Sequence, residues 1–224
     1  MSQTDQWYRG GDVPQSVGER YEQTLYLFRK KGGKLESEAL LPTLFVPMTG
    51  KAEDARKVKP DPANPSVANG SFEEKAFPSG AQPGWYYEKH VKWETDAKAP
   101  DGEHYVSFDN DEPGVSAHLL QGFGVDGRKV KQIAVTAQVK TKDVRRGAQE
   151  REMAAIMFTL YDDQRRELGL WQLGPFLGTS EWHEETKVFD IPPNAREGIF
   201  RIGLFGATGY AAFDKISMQK VEKK

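Results

Sequence analysis

An all-β sandwich is the architecture this sequence predicts, and three observations predict it. From about residue 85 onward, strand-like runs recur at short, even intervals with turn signals between them. One of them, Ile133-Ala134-Val135-Thr136-Ala137-Gln138-Val139, is apolar at every odd position, the period-two pattern of a strand with one face buried. No stretch in this half sustains helical periodicity behind a capping residue. The expected fold is a jelly-roll β-sandwich over residues 65–221, with a short N-terminal β-hairpin as an appendage.

Taken in order, residues 1–50 form the first unit. Two apolar runs, 25–28 and 40–48, are joined by the turn segment Lys31-Gly32-Gly33-Lys34, which predicts a hairpin. Residues 51–64 are charged and proline-rich with almost nothing apolar, a composition that cannot bury a core and reads as a linker. The sandwich follows, with strands expected at 85–90, 104–108, 117–122, 130–140, 154–160, 167–173, 181–189, 199–205 and 212–218. Asp126-Gly127 and Asp162-Asp163-Gln164 sit where tight turns are needed. Many short strands at even spacing mean a sandwich or barrel.

Composition narrows the function. The 224 residues carry 31 basic and 33 acidic side chains, a formal net charge of -2, so no basic excess draws in nucleic acid. The longest apolar stretches, such as 154–161, are too short to span a bilayer, so no membrane partner is expected. The first residues, MSQTDQWYRGG, lack the basic and apolar regions of a secretory signal, which favours the cytoplasm. Cysteine is absent, which excludes disulfides, thiolate metal sites and cysteine nucleophiles.

Several short motifs match by letter only. Gly122-Phe123-Gly124-Val125-Asp126-Gly127 has the dinucleotide-binding spacing, but that motif needs a helix after it, and the next residues read as a strand. Asp109-Asn110-Asp111-Glu112-Pro113-Gly114 suggests a calcium loop, yet proline stands where an oxygen ligand is required. His90, His104, His118 and His183 stand alone on separate strands, without zinc spacing. Asn69-Gly70-Ser71 is a glycosylation sequon by letter and more simply a turn. No nucleophile elbow is found, and no catalytic residue is expected.

The tryptophans are the informative group. Trp85, Trp93, Trp171 and Trp182 all lie in the β half. Most aromatics in a sandwich fill its core, while an exposed indole face suits the C–H face of a sugar ring. Trp93 within Lys92-Trp93-Glu94-Thr95, and Trp171 followed by Gln172, have polar neighbours able to bond hydroxyls. With Trp182, these form the candidate ligand-binding set.

Residues 69–74, Asn-Gly-Ser-Phe-Glu-Glu, then Pro83-Gly84-Trp85, resemble the opening of a carbohydrate-binding module of the galactose-binding-like jelly-roll type. Ala212-Phe213-Asp214-Lys215-Ile216-Ser217-Met218 is similar to that family's last strand, and the resemblance covers about residues 65–221. It implies a structural calcium tying first strand to last, with Glu73 and Asp214 as the matching oxygen donors. The plain alternative is a pair of solvated strand-end carboxylates. A second resemblance covers about residues 13–50, where Pro14 to Phe28 and then Leu44-Phe45-Val46-Pro47-Met48 look like the carboxy-terminal strands of protein-L-isoaspartate O-methyltransferase. The glycine-rich turn with which that family holds S-adenosylmethionine is missing, so no S-adenosylmethionine site is expected in this chain.

Two functions follow. One is a non-catalytic module that binds a ligand, most simply carbohydrate, attached to a methyltransferase tail. The other is a part of a protein-L-isoaspartate O-methyltransferase whose catalytic domain is missing from this chain, with the sandwich as a structural or protein-binding extension. Under either, the N-terminal hairpin is a candidate surface for another protein.

Overall fold

The structure, a computed structural model, describes residues 13–19, 22–43, 61–78 and 80–222. Every regular element among them is a β-strand. At the N-terminus, β1 (Val13–Glu19), β2 (Glu22–Lys31) and β3 (Lys34–Thr43) form an antiparallel sheet in that order. The turn from β2 to β3 is Gly32-Gly33, both at positive φ (57° and 81°), the left-handed pair that a two-residue hairpin turn demands. The expected hairpin is therefore extended by a third strand. Its sequence, VPQSVGE, lacks the apolar alternation that marks a strand.

The remaining strands are β4 (Tyr86–Lys89), β5 (Val91–Thr95), β6 (His104–Asn110), β7 (Ser116–Gly124), β8 (Gln132–Arg145), β9 (Ala154–Tyr161), β10 (Glu167–Phe176), β11 (Gly178–Asp190), β12 (Glu197–Phe205) and β13 (Thr208–Lys220). They make two five-stranded antiparallel sheets, β10-β9-β12-β7-β4 and β11-β8-β13-β6-β5, packed as a jelly-roll sandwich. β5 is the strand that sequence reading left out, because Lys92, Glu94 and Thr95 mask the alternation around Trp93.

The core lies between the sheets. Ile133, Val135, Ala137 and Val139 have no exposed surface, while the residues between them on β8 are half-buried. They meet Phe158, Leu160, Phe200 and Ile202 of the β9–β12 sheet and Phe108 and Phe213 of their own. Trp85 is fully buried, and its indole N–H donates to the Asn69 carbonyl at 3.0 Å, so its polar atom is satisfied inside the core. Of the dinucleotide-like glycines, Gly122 and Gly124 end β7 and Gly127 lies in the turn to β8, with no helix after them. A Cβ on Gly127 would stand 1.9 Å from the Pro192 carbonyl oxygen, so close backbone packing is what requires this glycine.

Ahead of β4 an irregular strap crosses the sandwich. Pro62 accepts from the Asp126 amide at 2.7 Å, within the stretch expected to be linker. The Gln121 side chain, on β7, pairs with both backbone groups of Ala68, at 2.9 and 3.2 Å. Gly70 accepts from the Ile216 amide, on β13, at 2.8 Å. The strap thus fastens one sheet to the other. Between it and β2, a cleft of about 230 Å³ is lined by Gln23 and Thr24 on one side and Ala68, Glu74, Pro83 and Tyr86 among others on the other.

Candidate functional site

In an antiparallel sheet, directly paired residues project from the same face. Across the β11-β8-β13-β6-β5 sheet, one such row is His183, Val139, Phe213, Val106 and Trp93, with three core residues at its centre, so it faces inward. The adjacent row, Lys140, Ala212, Ser107 and Lys92, therefore faces outward. Outward residues of a sandwich are normally wet. Yet Ser107 and Ala212 have no exposed surface, so other side chains must lie over them.

Those side chains are aromatic. Tyr105, on β6, and Trp182, on β11, meet edge to face with ring centroids 5.3 Å apart. Their strands are three steps apart in the sheet, about 14 Å at ordinary strand spacing, so both rings must reach inward over β13 and β8. The small side chain of Ala212 leaves room for them. Tyr210, on β13, completes the cluster, its hydroxyl bonded to Tyr105 and Ser107. Burial, then the bond to Tyr105, and also the Glu94 charge hold the Tyr210 phenol well above its ordinary range, so it stays neutral, able both to donate and to accept. Ser107 Oγ donates to Glu94 Oε1 at 2.9 Å, and Lys140 Nζ pairs with Glu181 Oε2 at 2.9 Å beside Trp182. The result is a half-buried aromatic surface with a carboxylate, hydroxyls and a cation at its rim.

Of the four residues in the sequence-based ligand set, Trp182 lies in this cluster. Trp93 projects from the inner face of β5 against Phe72, at 5.8 Å, with Nε1 3.4 Å from Glu88 Oε2. Trp171 stacks flat on Phe158, 5.8 Å away and 5° from parallel, and packs against the main core. Gln172 faces outward on the other sheet, and its carbonyl accepts from Lys187 Nζ at 3.0 Å. The structure does not bring the four together.

Tyr105, Ser107 and Tyr210 stand outside the sequence-based set, although the signal was there, and Glu94 entered only as a neighbour of Trp93. Val106 and Phe108 alternate inward on β6, which turns Tyr105 and Ser107 outward. Ala211 and Phe213 do the same for Tyr210 on β13.

Glu73 and Asp214 do converge, on the turn 101–104. Glu73 Oε1 accepts from the amides of Glu103 (2.8 Å) and His104 (2.6 Å), and Oε2 lies 2.9 Å from His104 Nδ1. Asp214 is fully buried and accepts from the amides of Asp101 (2.8 Å) and Lys215 (2.6 Å). Burial first, and then the negative charges of Asp101 and Glu73, push its carboxyl up to about 6 despite those two bonds. Oxygen donors beside uncompensated negative charge fit a hard cation in chemistry. Among the described residues, no group of three or more His, Asp or Glu side chains is arranged to hold a metal ion, so carbonyls and water would have to supply most of the shell.

No family model matches the sequence, and no curated protein matches it. Among solved structures, the enzymatically active domain of bacteriophage CBA120 tailspike protein 4 aligns with 69% of this chain at 13% identity and a TM-score of 0.49. This chain spans 21% of that one. The CBM22-1 xylan-binding domain of Paenibacillus barcinonensis Xyn10C aligns over 71% of this chain and 94% of its own, at 14% identity and a TM-score of 0.42. A family 16 carbohydrate-binding module aligns over 70% and 99%, at 16% identity and 0.43. None of this supports the methyltransferase resemblance of residues 13–50. Carbohydrate-binding modules are thus among the structures to which this chain is similar, and the similarity is one of fold.

Proposed function

We propose that this chain is a non-catalytic carbohydrate-binding module whose ligand lies on the outer face of the β8–β13 sheet. The observation that carries the reading is the cluster of Trp182, Tyr105 and Tyr210 on a face where the core has no use for aromatics. Trp182 and Tyr105 offer rigid apolar area for the C–H face of a sugar, while Glu94, Tyr210 and Lys140 are placed to bond its hydroxyls. A glycan screen with the full chain should find at least one ligand, and Trp182→Ala and Tyr105→Ala should each abolish its binding. A blank screen, or binding that survives both changes, would sink the proposal.

We also propose calcium between Glu73 and Asp214, on the support of the buried, uncompensated Asp214 carboxyl. A cation bound only by the native state stabilises it by about 2.7 kcal/mol at a hundredfold excess over its dissociation constant. Calcium should raise the melting temperature of the wild type and leave Asp214→Ala where it is. Identical melting of the wild type with calcium and with chelator would remove the site.

One observation favours a protein partner at the N-terminal sheet. Tyr26 and Phe28 share a face of β2, 6.1 Å apart, and both stay half-exposed. Such a partner would protect the β2 amides from hydrogen exchange, and unchanged exchange in its presence would exclude that surface.

A further inference from the structure

The opposite face of the molecule carries a second, unrelated feature. Outside the sandwich, on the β10-β9-β12-β7-β4 sheet, Met153, Ala155 and Met157 form a small buried cluster separate from the main core, with Leu170 and Phe205 packed on it. A pocket of about 420 Å³ opens beside them, within the range of small-ligand sites. Arg201 lines it. Its Nη2 donates to Thr159 Oγ1, while its Nε is buried without a partner.

The lining carries Arg151 and Arg201 against Glu152 and Glu167, yet among the described residues no carboxylate lies within ion-pairing distance of Arg201. Glu152 Oε2 accepts from the Gln149 amide at 3.1 Å, and Glu167 is exposed. Two more basic side chains share this face. His118 stacks on Phe205 at 6.2 Å, and Lys89 pairs with His118 across β4 and β7. Burial, and then the charges of Lys89 and Arg201, hold His118 below its ordinary range, so both cations lie near enough to act on the same imidazole. A half-buried guanidinium bordered by thioether, leucine and phenyl surface is suited to an acid with an apolar body, because its planar fork matches a carboxylate and little water competes.

We propose that this pocket binds a small carboxylate, the acid group on Arg201 and an apolar ring face against Met157, Leu170 and Phe205. The site is distinct from the aromatic cluster of the other sheet and does not depend on it. The same chemistry occurs in a uronic acid residue of a glycan and in a free cyclic acid.

Calorimetric titration of the full chain separates these. The probes are sodium glucuronate and sodium benzoate, each against its neutral counterpart, methyl glucoside or benzamide. At least one acid should bind tenfold or more tightly than its neutral counterpart, and more weakly as salt is raised. Preference for glucuronate alone would identify a sugar acid as the source, and preference for benzoate alone a flat apolar acid. Arg201→Gln should erase the preference. Equal binding of acid and neutral probe to the wild type, or no binding of either acid, overturns the proposal even if the Arg201 variant fails to fold. A preference that survives in a folded Arg201→Gln variant overturns it as well.

Discussion

The N-terminal sheet and the sandwich are both antiparallel, yet they bury their side chains in opposite ways. Along β8, full burial alternates with partial burial residue by residue, because a second sheet covers one face. Along β2, residues 24–29 are all half-buried, and Gln23, which lines the cleft to the strap, is the one fully buried side chain described there. A pleated sheet offers two faces, and only a second layer turns one of them into a core. The sandwich supplies its own second layer. The three-stranded sheet borrows a narrow contact.

Core truncation should show the difference most strongly. Trp85→Ala removes a fully buried ring and the shorter of the two hydrogen bonds to the Asn69 carbonyl, so denaturant melts should show a loss of about 3–5 kcal/mol. Phe28→Ala, on the N-terminal sheet, should cost less than about 1 kcal/mol in the same transition. Comparable losses would mean that both sheets share one cooperative core.

Asp214 sharpens the contrast through pH. Its carboxyl is raised on folding to about 6, so protonation favours the native state. That contribution is fully present below the ordinary carboxylate value and is lost as pH rises through about 6. Between pH 4 and 7, without calcium, Asp214→Asn should gain on the wild type by on the order of 1–3 kcal/mol. Parallel pH profiles for the two proteins would show that the group is not strained in the fold.

Removing residues 1–60 should have a smaller effect, less than about 1 kcal/mol on the melting of the sandwich, because its ties begin at Pro62. A larger loss would show that the cleft beside Gln23 is structural. Smallest of all, Trp182→Ala should change stability by about 1 kcal/mol or less, since its main ring partner, Tyr105, is itself on an outer face. A loss in the core range would reassign Trp182 from ligand platform to packing.

What the sequence made legible follows the same division. The strands of the sandwich could be read because their inward residues alternate, as Ile133 to Val139 do, and burial by a second sheet selects for that alternation. β1 could not, since among the described residues no second sheet packs against its own, and a strand so placed needs no apolar face. The aromatic cluster was hidden for another reason: Tyr105, Trp182 and Tyr210 come from three strands far apart in the chain and meet only through the strand order. Neighbouring polarity pointed to Trp93 and Trp171, but polar neighbours along a strand are what an inward residue has on both sides. The parity of each strand was the better guide.

The strap carries a consequence in time rather than in space. Its bonds from Ala68 to Gln121 and from Gly70 to Ile216 join the opening of the sandwich first to its middle and then to its last strand. That last strand, β13, lies at the centre of its sheet, between β8 and β6. Until it has been synthesised, β8 and β6 each present an open edge and the strap lacks its tie at Gly70 to the second sheet. This sandwich can therefore close only once β13 has been made, and at the slow pace of chains dominated by distant pairings. A chain stopped before Thr208 should remain open to protease across β5, β6, β8 and β11, the other strands of that sheet.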